Sequence, residues 1–394
     1  MTAMTSMPKH VEPNYSLITF LLFWCALIVV SSVYVTTPLI GVFVKEFQVT
    51  QTTAAWTGSI FSLFYAVGFL VLGPLADRYG RKQMIVFGLG VLSLVTFAIG
   101  FVNHLIWLII LRALQGFISA AFAPAALAYV FDVFPKRKLV TTIGFTSFGF
   151  LTAGIFGQVV AGFIDQTFDW HFVFILFGGL YLVSLLAVAK ILPTTKSENT
   201  PISMAYHIKQ VKKIFAQKNF RLCYVITIML LLTFIGMYTA LGDYLKNAPF
   251  YLRDKEILYV RTAGLAGMIL SPFTGFLAKK LGLLVVLRVG LAVSVGGLVM
   301  LGVDTNLPVI ICMSVVYVAG ISLTFPAIMT LIGEWSGNIR AIAASIYTFI
   351  LFIGASLGPI VTSGLMQTGS FFITFVVLAI LLSGGLVASF FIRS

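Results

Sequence analysis

The sequence predicts an all-α membrane protein, with twelve transmembrane helices in two pseudo-symmetric six-helix bundles. Three observations carry this. The 394 residues are 60% hydrophobic and only 9% charged, against about 25% charged for soluble domains. Apolar runs long enough to cross a bilayer core recur twelve times, without the alternation of a barrel strand. One loop and its surroundings also repeat half a chain later. Gly73 falls on Gly275, Leu75 on Leu277, Ala76 on Ala278 and Gly80 on Gly282, and the same shift sets Pro124 on Pro326 and Asp132 on Glu334. A chain built from two related halves suits a transporter that rocks one half against the other.

A polar tail, 1–16, precedes the first run at 17–37. That run is too long for a signal-peptide core and no small-residue cleavage site follows it, so it is expected as the first span. The next runs are 53–75, 84–102, 105–131, 139–164 and 172–192. The fourth contains Arg112, and Gly144, Gly149, Gly154, Gly157 and Gly162 line the fifth. A linker, 193–219, separates the halves, with turn residues Pro193 to Pro201 at its start. Beyond them Ile208, Val211, Ile214 and Phe215 share one helical face among Lys209, Lys212, Lys213 and Lys218. This is either an amphipathic helix on the membrane surface or a basic tether. The second half, 220–394, holds runs at 220–242, 257–278, 284–303, 308–333, 341–366 and 370–392. Gly354, Gly358 and Gly364 line its fifth. Small residues let helix backbones approach closely where lipid offers no hydrophobic drive.

The net charge of +13 is a topology signal. Nineteen of the 25 Lys and Arg fall on the side of both termini and the linker. Lys45, Lys246, Arg253, Lys255 and Arg261 fall on or near the other side, and Arg112 lies within a span. The positive-inside rule then expects both termini in the cytoplasm, in the inner membrane of a cell, with membrane lipid as the partner of the basic surface. Nucleic acid is not expected. Cys25, Cys223 and Cys312 show no paired spacing, so no disulfide or metal site follows. No phosphate-binding G-x-x-x-x-G-K-[ST] loop is present, which argues against an ATP-driven pump. Four scattered histidines do not make an enzyme site. No enzyme activity and no cofactor are expected.

The stretch Gly73-Pro74-Leu75-Ala76-Asp77-Arg78-Tyr79-Gly80-Arg81-Lys82 resembles the signature between spans 2 and 3 of the major facilitator superfamily. Arg112-Ala113-Leu114-Gln115-Gly116 is similar to the R-x-x-q-G motif of its twelve-span drug/proton antiporter branch, and Thr37-Pro38-Leu39 to that branch's first-span motif. The fifth-span motif departs. Gly157 and Gly162 are kept, but Ala153 and Ala161 replace glycines and Gln158 stands where proline is expected, which leaves room for a sugar or metabolite exporter. The fold expected from the resemblance is the major facilitator fold, as a monomer. The function it implies is proton-coupled efflux of small organic or drug-like molecules by alternating access. An uncoupled facilitator and a lipid translocase are the alternatives.

The resemblance also implies site residues. Gly73, Asp77, Gly80, Arg81 and Asp132 match a conformational latch, with Asp77 facing the start of span 11, where a helix dipole favours an anion, and Arg81 paired with Asp132. Plain topology charge is the other reading. The second half carries a worn clasp of Lys279, Glu334 and Arg340. Arg112 is implicated in proton coupling, or is a structural hydrogen-bond hub. An arginine inside a span costs about 3 kcal/mol or more unless paired or hydrated, so it is expected to face the central cavity. The first span has no acid. Asp243 is the leading proton carrier and Asp132 the other. Trp24, Tyr34, Tyr65, Gln115, Tyr129, Tyr238, Tyr317 and Tyr347 are candidates for substrate contact near mid-membrane. Trp170-His171 suits an interface anchor.

Overall fold

In lipid a long apolar run must satisfy its backbone groups within itself, so it becomes a helix. The computed structural model describes residues 13–194, 204–303 and 306–392, and no strand occurs among them. The first six spans are built from α1 (Tyr15–Ser31), α2 (Ile40–Glu46), α3 (Gln51–Tyr79), α4 (Arg81–Ile99), α5 (Leu105–Ser119), α6 (Phe122–Val133), α7 (Lys136–Thr167) and α8 (Trp170–Ile191). A short α9 (Met204–Ala216) leads to the second six: α10 (Lys218–Lys246), α11 (Asp254–Met268), α12 (Thr274–Leu281), α13 (Leu283–Val303), α14 (Leu307–Trp335), α15 (Arg340–Met366) and α16 (Phe371–Phe390). Among the described residues, eleven helical stretches are long and apolar enough to cross a bilayer, and the apolar α1 adds a shorter twelfth.

Three spans depart from single straight helices. At 17 residues, α1 reaches about 26 Å, short of a core of roughly 30 Å. It stops at Ser31, and turns carry the chain past Pro38 to α2. The fourth span breaks at Ala120-Ala121. Pro124 has no N–H for the Ala120 carbonyl, and its ring crowds that carbonyl. The eighth breaks at the 3₁₀ turn Ser271–Phe273, which contains Pro272. Side-chain caps start several helices. The Asn14 Oδ1 accepts from the Leu17 amide at 3.2 Å, and Ser370 Oγ accepts from Ile373 at 3.3 Å. Asp169 Oδ1 accepts from the His171 amide at 2.8 Å. Desolvation raises the Asp169 carboxyl pKa, but its bonds to the His171 amide and ring outweigh that and leave it below the usual range. This cap is therefore present at neutral pH and lost only as pH falls through that lowered value.

The halves repeat each other in space. In the first, α1 packs on α7, α3 on α5 and α4 on α8; in the second, α10 packs on α15, α11 on α14 and α13 on α16. The turn joining α3 to α4 sits on Gly80 at φ 92°, and the turn joining α12 to α13 on Gly282 at φ 87°. Only glycine takes that conformation without strain. Small residues permit the closest helix pairs. A Cβ on Gly149 would meet the Phe23 carbonyl at 2.5 Å, and one on Gly354 the Ile228 carbonyl at 2.5 Å. On α9, Ile214 is buried while Lys209, Lys212 and Lys213 are exposed. The Ile208 side chain and the turn residues 195–203 lie outside the described residues.

Candidate functional site

At the end that carries both described termini, the halves meet tightly. A Cβ on Gly73 of α3 would lie 1.5 Å from Ser345 Oγ of α15. One on Gly275 of α12 would lie 2.2 Å from Thr141 Oγ1 of α7. These glycines are equivalent in the repeat, so the same close approach closes both flanks. Ser271 Oγ also donates to the Gly144 carbonyl at 2.9 Å, and Gly333 of α14 sits against the Phe131 ring of α6.

On one flank the charges form a bridge between the halves. Arg81, 4% exposed, donates from Nη1 to Asp132 Oδ2. Arg340 of the other half pairs with Asp132 Oδ1 at 3.8 Å, donates from Nε to the Gly333 carbonyl at 3.2 Å and lies 5.1 Å from the Phe131 ring. One carboxylate thus bridges a cation from each half. The Asp77 side chain lies outside the described residues; its backbone is in the last turns of α3. The three residues expected as a second-half clasp do not gather. Arg340 joins Asp132, the exposed Glu334 is within electrostatic reach of Lys136, and Lys279 lines a separate crevice.

Toward the opposite end the halves part, and three chambers meet at Tyr34. The outermost, about 700 Å³, lies between α3 and α15 and is lined by Thr36, Thr37, Ser59, Ser62 and Ser356. The second, about 210 Å³, lies between α7 and α10–α11 and contains Gln158, Tyr238, Thr239 and Arg261. The innermost, about 70 Å³, is aromatic, with Tyr65, Phe150, Phe234, Phe325, Tyr347 and Phe352. Tyr65 and Phe352 close it across the halves, ring centroids 4.9 Å apart and edge to face.

Four of the eight expected substrate contacts stand on these walls: Tyr34, Tyr65, Tyr238 and Tyr347. The other four turn into their bundles. Trp24 Nε1 donates to Ser184 Oγ at 3.1 Å, Tyr129 to the Pro193 carbonyl at 3.1 Å, and Tyr317 to Thr233 Oγ1 at 3.1 Å. Gln115 belongs with Arg112.

Arg112 is fully buried, 0% exposed, and lines none of the three chambers. Its Nη2 donates to the Ser32 carbonyl at 2.9 Å, its Nε to the Thr57 carbonyl at 3.0 Å and its Nη1 to Gln115 Oε1 at 2.6 Å. Gln115 Nε2 passes the chain on to Thr96 Oγ1 at 2.8 Å. The Phe61 ring lies 4.3 Å from the guanidinium carbon, and Ser32 meets the Tyr181 hydroxyl. The geometry is that of a hub tying five spans of the first half. The Ser32 carbonyl, freed where α1 stops, is one of its acceptors.

Asp243 is half-buried on α10, four residues beyond the cavity residue Thr239. That spacing puts both on one face, with Asp243 a turn nearer the open end. Its backbone carbonyl accepts from Asn247 Nδ2 at 2.8 Å. Gly242 lies under Arg261, where a Cβ would meet Nη2 at 2.7 Å; that guanidinium also donates to the Tyr238 carbonyl at 3.1 Å.

Arg261 and Gln158 were not among the expected contacts. The α11 helix begins at Asp254, so Arg261 is two turns inside it. Gln158 was visible in the sequence only as a departure from a proline position; its Nε2 donates to the Gly154 carbonyl at 2.8 Å.

Comparisons with known proteins agree on the architecture. The family model described as Major Facilitator Superfamily matches residues 22–258 and 258–394. The uncharacterized MFS-type transporter YybF of Bacillus subtilis is 24% identical, over 96% of this chain and 95% of its own length. The multi-drug resistance efflux pump PmrA of Streptococcus pneumoniae is 28% identical over 64% of each chain. Among solved structures, the Escherichia coli fucose:proton symporter FucP superposes with a TM-score of 0.76 at 14% identity, covering 96% of this chain and 100% of its own. The human organic anion transporter MFSD10 gives 0.78 at 13% identity, with the same coverage.

Proposed function

This chain belongs to the Major Facilitator Superfamily, and from that premise we propose that it exports small amphipathic organic molecules from the cytoplasm by alternating access, in exchange for protons. The basic end is the cytoplasmic one by the positive-inside rule, so the conformation described is closed to the cytoplasm and open outward. The likeness to PmrA, an efflux pump, supports export.

One observation carries the substrate class. Among the described residues of the three chambers, Arg261 is the single charged side chain on otherwise aromatic, aliphatic and hydroxyl-bearing walls. Such walls take an apolar body with hydrogen-bonding groups. A guanidinium on the wall repels a cationic ligand and attracts a carboxylate. The substrates are therefore neutral or anionic amphipaths. Asp243, at the mouth beside Gly242 and Arg261, is the proton carrier in this reading, and Asp132 governs the cytoplasmic closure.

The test uses acid-loaded proteoliposomes and follows interior pH. A lipophilic carboxylate, a neutral amphipath of equal size and a lipophilic cation are offered in turn. We expect alkalinisation with the first two and little with the third. Arg261→Gln should lower carboxylate flux about tenfold and spare the neutral compound. Transport of the cation at the carboxylate's rate would overturn the charge preference. Uptake without any pH change would make the protein an uncoupled facilitator and remove Asp243 from the mechanism.

A further inference from the structure

A second cavity, of about 580 Å³, opens at the basic end beside α1, α7 and α12, away from the three chambers. Its chemistry is divided. Arg137, Lys138 and Lys279 stand on it and, among the described residues, no acid does. Phe20, Phe23 and Phe145 form an apolar wall, Phe20 being 59% exposed and Phe145 39%. Lys138 is held in place, its Nζ 4.5 Å from the Tyr15 ring. Thr19 Oγ1 lies 3.2 Å from Thr142 Oγ1 and ties α1 to α7.

Three cations above an apolar trough complement one kind of molecule: an anionic head on a hydrocarbon tail. The basic end faces the leaflet in which such lipids are concentrated, where each Lys or Arg near the surface gains about 1 kcal/mol from anionic headgroups. Exposed phenylalanines at that depth lie against acyl chains. The cations also come from both halves. Arg137 and Lys138 begin α7, whereas Lys279 ends α12 across the Gly275–Thr141 contact.

We propose that this crevice binds an anionic phospholipid of the cytoplasmic leaflet, with its phosphate on Arg137, Lys138 and Lys279 and an acyl chain along Phe20, Phe23 and Phe145, and that the bound lipid favours the state closed at the basic end. Opening that end moves α12 from α7 and takes one cation from the phosphate. A ligand that holds one state more tightly shifts the population toward it by that difference in affinity. Binding does not depend on what the central cavity transports, so this inference and the substrate reading fail separately.

The experiment is native mass spectrometry of the full chain in detergent, titrated with phosphatidylglycerol, phosphatidylcholine and glycerol phosphate. Wild-type protein should retain phosphatidylglycerol over phosphatidylcholine, and glycerol phosphate should not compete at equal concentration. Lys279→Gln should weaken retention about fivefold, the loss expected for one surface cation; Lys280→Gln, the exposed neighbour, should not. Equal retention of both lipids, competition by glycerol phosphate, or equal effects of the two variants would each overturn the site. The state preference is read by alkylation of Ser345→Cys in a Cys312→Ser background. Phosphatidylglycerol should slow alkylation severalfold, and Lys279→Gln should remove the slowing. An alkylation rate indifferent to lipid would overturn the coupling.

Discussion

Arg112 shows how one buried charge is made tolerable. Its three donors reach two backbone carbonyls and an amide oxygen, and the Phe61 ring covers it. Each such charged hydrogen bond is worth roughly 1.5–3 kcal/mol, and an acceptor left bare in the interior costs a similar amount. Arg112→Ala should therefore destabilise the protein by on the order of 3 kcal/mol or more, and thermal unfolding in detergent will read it. Loss of transport with unchanged unfolding would instead make Arg112 a coupling group and not a hub. Asp132 is a sharper case, because Asn removes one charge that two arginines share. Asp132→Asn should leave folding near wild type and raise alkylation of Ser345→Cys, since the halves lose their charged tie. An unchanged rate would take Asp132 out of the closure.

At the scale of elements, the turns and breaks obey backbone rules. Gly80→Ala would force a Cβ into φ 92° and place it 2.3 Å from Gln83 Oε1. Left-handed backbone costs a non-glycine residue roughly 1–2 kcal/mol, so both expression and thermal stability should drop, more than for Gly364→Ala, whose Cβ would meet nothing within 4 Å. Legibility in the sequence also divides here. The twelve apolar runs and the repeat could be read, because length and spacing are written in the chain, and the Arg81–Asp132 pairing followed from the resemblance of the loop to its family's signature. The cavity face could not. A helix that is apolar all round has no polar side to fix its rotation, so Trp24, Tyr129 and Tyr317 looked as suitable as Tyr34, Tyr65 and Tyr347. Arg261 reads in the sequence as a charge on or near the outer side, because the apolar run starts at 257 whereas α11 begins at Asp254. The break at Ala120-Ala121 could have been foreseen from Pro124, which the repeat had already singled out.

For the whole molecule, the arrangement is two half-bundles shut at the basic end and parted at the other. The proposed substrate and lipid sites would then occupy different places along one cycle. The three chambers lie on the open side, whereas the basic crevice lies on the shut side and is completed by both halves. Flux measured in vesicles of rising phosphatidylglycerol content should pass from lipid-sensitive to lipid-insensitive when Lys279 is neutralised. Substrate charge preference should stay the same throughout, since Arg261 is in another cavity.

The closure is uneven from one side to the other. Two arginines and a carboxylate hold the flank where α6 meets α14 and α15, whereas among the described residues hydroxyl and carbonyl contacts hold α7 against the broken eighth span, with the cations of the basic crevice beside them. Two fastenings of unequal strength do not release together. Without a comparable ion bridge, the α7 seam is expected to loosen first, so that the gate would unzip from the α7 margin and swing about the ionic margin as its hinge. Labels placed across each seam should separate on two timescales, the α7 one faster. In the export reading proposed above, cargo would then meet a slit beside α7 before it meets a mouth.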